Sequence, residues 1–364
     1  MKILVVHPSV ELYGADKILL YALDLLAEKH DVTLLLPKNG ILVSRVRETI
    51  PSISIRIEGT LPILHSKLKI FEMLQLPQKL FQINRIFKKH AFDLVYCNTL
   101  ATSFILYTRW SKKKLIHVHE ILGNPFLNLC FSTLIFLGAK KVICVSNHVK
   151  NHLFFSSNYS VLYNGIPDVA KNIQQQKNER VKFVLPGRIM PQKGQWFLLD
   201  TITYLPKTLL EKVEFHLFGS PPPMKLELLD TLTTRIQQLG LADSVHVHHF
   251  STNIQEIYLD ADVILVPSIM ADPFPTTVLE AMMFSKPVIT TNNGGASEIV
   301  RDDFGILIAP SDTIDFANSL TFFIQNKTLA FQMGQKAREE FETNFTISVF
   351  RKKFLSILTQ YLEA

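Results

Sequence analysis

Short apolar runs alternate with longer segments of helical period along this chain. The run "KILVVH" is followed by 16–30, where Ile18, Leu19, Ala22, Leu25 and Leu26 recur at helical spacing, and then by "DVTLLLP". A helical region from Lys67 to His90 leads to "FDLVYCN", "KLIHVHE", an apolar helix and "KVICVSN". Runs that are apolar throughout suit strands buried on both faces, and their alternation with helices is the βαβ rhythm of a parallel sheet. The rhythm breaks once, at "NGIPDVAKNIQQQKNER" (164–180), which is polar, turn-rich and without apolar period. A second series starts with "VKFVLPGR" and runs through "VEFHLFG", "VHVHHF", "ADVILVPS" and "KPVITT" into a helical tail. The pattern predicts an α/β protein with two Rossmann-like, doubly wound domains facing across a cleft, at 1–165 and 181–344. Residues 166–180 form the linker, and 345–364 form an amphipathic helix able to pack back on the first domain. Such sheets bind ligands at the C-terminal ends of their strands, and His7, His119, Ser146, Arg188, Gly219, Ser268 and Gly294 all fall there.

At 364 residues, 47% hydrophobic and 19% charged, the chain is long enough for two ordinary cores and reads as globular. The opening "MKILVVHPSV" is too short in its apolar part for a signal peptide, and no other run reaches the length of a membrane span, so a cytoplasmic location is expected. Cys97, Cys130 and Cys144 lie in apolar contexts without close pairing, which predicts free thiols. Charge is unevenly placed: residues 1–170 carry 20 Lys and Arg against 11 Asp and Glu, and the remainder 18 against 21. With no RNA- or DNA-binding motif present, the basic half points to an anionic membrane surface rather than to nucleic acid.

Four stretches carry candidate chemistry. In "DPFPTTVLE", Pro273 and Pro275 keep Asp272 and Phe274 out of α conformation, and a helix begins just after them. The helix N-terminus there suits a phosphate and the flanking Asp272 and Glu280 suit hydroxyls; alternatively, Thr277-x-x-Glu280 is a capping box. In "PGRIMPQKG", Arg188 and Lys193 share one strand-to-helix loop, from which two cations can meet a diphosphate, or which is simply a solvated basic loop. Gly14 of "LYGADKILL" stands at a loop-to-helix junction, either as a phosphate-approach glycine or as a turn residue. In "KLIHVHEIL" a strand runs into His119 and Glu120 and sets an imidazole at its end, where a plain surface histidine is the other reading. No metal site is predicted. Asp260 and Asp262 read as strand-start residues, His246 and His248 share a face with no acid or cysteine nearby in sequence, and "HLFGSPPP" lacks the Lys-Ser/Thr of a P-loop.

In order, Gly14, "HVHE", "VSNHV", "LYNGIP", "GRIMPQKG", "DPFPTTVLEAMMFSKPVITTNNGGASEIV" and "DFGILIAPSD" resemble the retaining glycosyltransferases of family 4, glycosyl transferases group 1, which have the GT-B fold. The resemblance spans nearly the whole chain. It implies that the second half binds a nucleotide-sugar donor, UDP- or GDP-linked, that the first half binds the acceptor, and that neither metal nor other cofactor is required. By position, Arg188 and Lys193 match the pair that neutralises the diphosphate, and Glu280 the carboxylate that holds the ribose. Asp272 stands where the family usually has Glu, meeting the donor sugar, beside the backbone of Phe274, Pro275, Thr276 and Thr277. His119 matches the active-site histidine. Tyr13 replaces the first glycine of the usual Gly-Gly-Ala-Glu loop and Asp16 its Glu.

The implied reaction is front-face transfer of a hexose, in which the leaving diphosphate takes the acceptor's proton and the cations stabilise it. The expected acceptor is a growing surface glycan or its lipid-linked precursor. The helix "NPFLNLCFSTLIFLGAKK" (124–141), apolar almost all round, is either buried or, with Lys67–Lys89, docks the basic half on an anionic bilayer. The rival functions are a sugar-nucleotide epimerase of the same fold and a non-catalytic scaffold.

Overall fold

The computed structural model describes residues 1–12, 14–63, 70–87, 91–155, 158–170 and 179–363. The chain forms two compact units, Met1–Gly165 with Ile347–Ala364, and Ile166–Thr346. The first is built on seven strands: β1 (Lys2–Val6), β2 (Asp31–Leu36), β3 (Ser54–Ile57), β4 (Leu94–Asn98), β5 (Lys113–Val118), β6 (Lys141–Cys144) and β7 (Tyr159–Val161). All pair in parallel, in the order β3-β2-β1-β4-β5-β6-β7. The central strands are buried along nearly their whole length, which is why the sequence shows them as unbroken apolar runs. Because β1, β4 and β5 are neighbours, the residues at their C-terminal ends, His7, Asn98 and His119, are brought side by side. The helix Ile347–Glu363 belongs to this unit: Phe350, Phe354 and Leu358 enter its core, Arg351 pairs with Asp24 at 3.2 Å and with Glu28, and the Lys114 N–H donates to the Tyr361 hydroxyl at 2.8 Å.

The second unit carries six parallel strands, β8 (Val181–Pro186), β9 (Val213–Phe218), β10 (Val245–His248), β11 (Val263–Val266), β12 (Val288–Thr291) and β13 (Gly305–Ile308), in the order β10-β9-β8-β11-β12-β13. This repeats the first unit's arrangement, with two strands added outward from the first before the order reverses. Phe183 and Phe215 stack at 5.3 Å in its core beside Leu217, Leu265, Phe316 and Phe323. Ile166 and Asp168, from the polar stretch, are tied into this unit by the Ile166 N–H to the Phe345 carbonyl (3.0 Å) and by the Asp168 carboxylate on Arg338 (2.9 Å); residues 171–178 lie outside the described residues. Asp262 acts as a strand-start anchor, accepting from the Lys182 N–H at 2.8 Å, and Asp260 pairs with the Lys182 ammonium. Cys97 and Cys144 are buried free thiols pushed up to about 12 by burial, and Cys130 is a half-buried free thiol. Among the described residues no helix is long and apolar enough to cross a membrane.

Candidate active site

The predicted donor residues of the second unit lie on loops at the C-terminal strand ends. The loop after β8 closes in the turn Pro191–Lys193 and then Gly194, at φ +85°, where a Cβ would sit 2.1 Å from the Pro267 carbonyl oxygen. Only glycine lets this loop press against the one that follows β11. The Ile269 N–H donates to the Gln192 carbonyl at 2.9 Å and locks the two together. The β11 loop is held on its other side by Gly294 and Gly295. Gly294 is at φ +86°, a Cβ there would lie 2.2 Å from the Asp272 carbonyl oxygen, and the Gly295 N–H donates to that oxygen at 2.8 Å. These two glycines carry no chemistry of their own, yet they fix the backbone of Asp272; in the sequence Gly294 stands out only by its place after a strand-like run.

Asp272 and Lys193 meet: the Lys193 ammonium donates to Asp272 Oδ2 at 2.9 Å. Arg188 stands at the head of the same loop as Lys193, its carbonyl accepting from the amide of buried Gln195 at 3.0 Å. Past Asp272, Phe274 and Pro275 are buried, and the helix Thr276–Met283 begins with Pro275 as its N-cap. Thr277 and Glu280 therefore both sit inside the helix, and no side chain caps it, so the capping-box reading falls. Glu280 is instead held from the side by the Tyr258 hydroxyl, which donates to Oε2 at 2.7 Å. Tyr258 is fully buried, and burial together with Glu280 keeps its phenol well above the usual value, so it remains a proton-bearing donor. Nothing in the sequence around Tyr258 announced this role. Two cations on one loop, the positive end of a helix and a carboxylate one turn later make a cradle for a diphosphate flanked by hydroxyl-bearing groups.

In the first unit, the helix Gly14–Ala27 starts at Gly14, where a Cβ would meet nothing within 4 Å, so packing inside the protein does not require glycine. Tyr13 lies outside the described residues. Two residues on, Asp16 Oδ1 takes a hydrogen bond from His7 Nε2 at 2.6 Å. His7 Nδ1 faces the Asn98 amide nitrogen at 2.9 Å, and Asn98 Oδ1 faces His119 Nε2 at 3.1 Å. The polarity of this chain is set from one end. A carboxylate oxygen only accepts, so His7 carries its proton on Nε2 and accepts on Nδ1; Asn98 then donates to His7 and accepts from His119. His119 is left with its lone pair on Nδ1. Burial and the neighbouring imidazoles of His117 and His7 hold His119 well below the usual histidine value, so it is neutral at physiological pH. Beneath it, 4.1 Å away between ring centres, His117 is fully buried, bonded to the Tyr96 hydroxyl at 2.8 Å, and pushed down to about 3.

The turn that joins β4 to the 3₁₀ helix Leu100–Tyr107 is strained: Thr99 has φ 78° and ψ 156°, a region that favours glycine and costs a side-chain-bearing residue about 1–3 kcal/mol. The bend lets the Leu100 N–H reach the Glu120 carboxylate, at 3.0 and 3.1 Å to its two oxygens, while the His119 N–H donates to the same group at 3.0 Å. Burial outweighs these donors and lifts the Glu120 carboxyl to about 7. Strain beside an aligned string of buried polar groups marks a site shaped for chemistry. His7, Asn98 and Glu120 were not assigned roles from the sequence, although each is a polar residue closing an apolar strand-like run.

Two doubly wound parallel sheets carrying these loops are the fold of the GT-B glycosyltransferases. HepE of Anabaena in complex with UDP-glucose superposes with a TM-score of 0.81 over 99% of this chain and 100% of its own, at 19% identity. Sucrose-phosphate synthase from Thermosynechococcus elongatus gives 0.81 over 99% and 98%, also at 19%. Residues 14–169 match Glycosyltransferase Family 4 and residues 168–340 match Glycosyl transferases group 1, and the chain belongs to this glycosyltransferase family. Among its relatives, the UDP-Gal:alpha-D-GlcNAc-diphosphoundecaprenol alpha-1,3-galactosyltransferase of Escherichia coli is 22% identical over 92% of this chain and 91% of its own. An uncharacterized glycosyltransferase of Methanocaldococcus jannaschii is 25% identical over 73% and 74%.

Proposed function

We propose that the chain is a retaining, metal-independent hexosyltransferase that moves a hexose from a nucleotide-diphosphate sugar to a lipid-linked or polysaccharide acceptor in cell-surface glycan synthesis. The observation that carries this reading is the Lys193–Asp272 pair set at the start of the helix whose next turn presents Glu280. Arg188, Lys193 and the helix start hold the diphosphate, Glu280 the ribose, and Asp272 the sugar hydroxyls. His119 meets the donor sugar as a neutral imidazole. The acceptor oxygen attacks the anomeric carbon as the bond to the β-phosphate breaks, and the acceptor's proton passes to the departing phosphate oxygen. A UDP-linked donor and a diphosphate-lipid acceptor are favoured by the E. coli relative, whose name specifies both.

Calorimetric titration of UDP and GDP in EDTA tests the donor site. Glu280→Gln keeps a partner for buried Tyr258, which Glu280→Ala would orphan, and is expected to weaken UDP binding about tenfold or more. If neither nucleotide binds the wild type, the scaffold reading replaces this one. If UDP-hexose is converted with no acceptor present, the epimerase reading does.

Membrane association is part of the same proposal. The helix Pro125–Gly138 buries Phe131 and Ile135, yet exposes Phe126 (70%), Leu137 (68%) and Phe136 (45%), with Phe154 (56%) from a following turn. A folded surface that keeps this much aromatic and aliphatic area in water, in the basic half of the chain, suits an anionic bilayer. Lys67, Lys69, Lys88 and Lys89 of the second predicted docking stretch lie outside the described residues. Vesicles containing phosphatidylglycerol are expected to pellet the wild type, and Phe126→Asp with Leu137→Asp to lose most of that binding; equal pelleting with neutral vesicles removes the idea.

A further inference from the structure

One face of the second sheet gathers imidazoles around a carboxylate. Parallel pairing sets His216 of β9 opposite His246 of the edge strand β10, and alternation along each strand puts Glu214 and His248 on that same face. The His216 ring centre lies 5.0 Å from that of His246 and 5.2 Å from that of His248. His216 Nε2 stands 3.4 Å from Glu214 Oε2, while its Nδ1 stands 2.9 Å from His248 Nε2. The other Glu214 oxygen faces Arg180 at 3.6 Å. One donor atom each from Glu214, His216 and His246 lie within 4.8 Å of one another. From sequence, His246 and His248 had no acid near them; the acid arrives through strand pairing, from β9, and corrects that reading.

We propose that Glu214, His216 and His246 form a binding site for a divalent transition ion of zinc type, with solvent completing its coordination. Two imidazoles and one carboxylate are a donor set that favours borderline ions over calcium or magnesium. In a tetrahedral zinc site bonds of about 2.0–2.1 Å put neighbouring ligand atoms about 3.4 Å apart. The Glu214–His216 pair already has that spacing, and all three side chains are partly exposed. His216 points one ring nitrogen at the carboxylate and the other at His248. A ligating histidine is held in this way, its second N–H taken by an outer partner that fixes the ring, and His248 is that partner. The ligands come from two adjacent strands, so the ion ties the edge strand β10 to β9, where an unpaired edge otherwise frays or recruits another chain.

The test uses full-length protein without a histidine tag, stripped with EDTA, and follows Co²⁺ by its visible d–d absorption and Zn²⁺ by calorimetry and melting temperature. One ion per chain, an intense tetrahedral or five-coordinate cobalt spectrum displaced by zinc, and a zinc-dependent rise in melting temperature are expected. His246→Ala and, separately, Glu214→Gln are expected to weaken zinc binding about tenfold or more. UDP binding measured in EDTA stays unchanged in both, so a failure here is distinct from a failure of the donor site. The proposal is overturned if the wild type binds zinc no more tightly than both variants, or if cobalt gives only the weak spectrum of an octahedral aqua ion.

Discussion

Lys193→Ala is expected to lower the rate of glycosyl transfer about 10²–10³-fold, which is roughly 3–4 kcal/mol of lost transition-state stabilisation. Negative charge grows on the diphosphate as the glycosidic bond breaks, so a cation placed against it acts more strongly on the transition state than on the bound donor. In the proposed donor site Lys193 stands on a turn whose closing glycine is wedged against the Pro267 backbone. The loss should appear mainly in kcat, with a smaller rise in donor KM, in initial-rate measurements with donor and acceptor varied in turn. Lys193→Arg keeps the charge and should recover part of the rate.

The same residue is half of a visible ion pair, so its role could instead be structural. Magnitudes separate the two. The Lys193 side chain is 40% exposed, and pairs of this kind contribute about 0–1 kcal/mol to stability. Lys193→Ala should therefore melt within a few degrees of wild type while losing most of its activity. A variant that melts far lower with kcat intact would make Lys193 a staple of the Asp272 loop. Asp272→Asn separates the partners from the other side: it frees the lysine for phosphate and removes a carboxylate from the donor sugar, so the two substitutions should not add.

How far the chain was readable before folding depended on where each element sits in its sheet. The central strands β1, β4 and β11 are buried along nearly their whole length and show as apolar runs, whereas β9 alternates buried and half-buried residues and shows as the alternation "VEFHLF". The three strands the sequence reading passed over, β3, β7 and β13, all lie at sheet edges. "SIRI" of β3 is largely solvated and β7 is only three residues long and half-buried, so neither offers a long apolar run. The site divided in the same way. Lys193, Asp272 and Glu280 could be named because loop-to-helix junctions leave local signals in glycine, proline and charge. Tyr258 under Glu280, the contact of Gly294 with Asp272, and Glu214 beside His246 could not be, because each acts on a residue brought to it by strand order rather than by sequence spacing.

The string Asp16–His7–Asn98–His119 is the furthest instance of that, since it crosses three strand ends to control one proton. Asn98 is fully buried and touches both histidines, so it is a positioning residue whose removal should be felt in chemistry. Asn98→Ala frees His119 to turn and to move its proton to Nδ1, which removes the acceptor proposed to meet a sugar hydroxyl. A fall in kcat of about 10–100-fold with little change in donor KM is expected, in line with the loss of other second-layer partners of functional histidines. Because a cavity at a buried site also costs stability, the deciding variant is Asn98→Asp. A carboxylate between two imidazoles favours their charged forms, so the His119 pKa, held low in the wild type by burial and by its histidine neighbours, must rise. Below that raised pKa His119 is protonated on both nitrogens and accepts nothing. The acid limb of the kcat profile should therefore move to higher pH in Asn98→Asp, while the wild type keeps a flat profile well below the ordinary histidine range. Overlaid profiles with equal rates would show that the residue between the two histidines braces the fold without governing His119. A shifted limb would show that the side chain at position 98, set between two strand-end imidazoles, governs the protonation of His119.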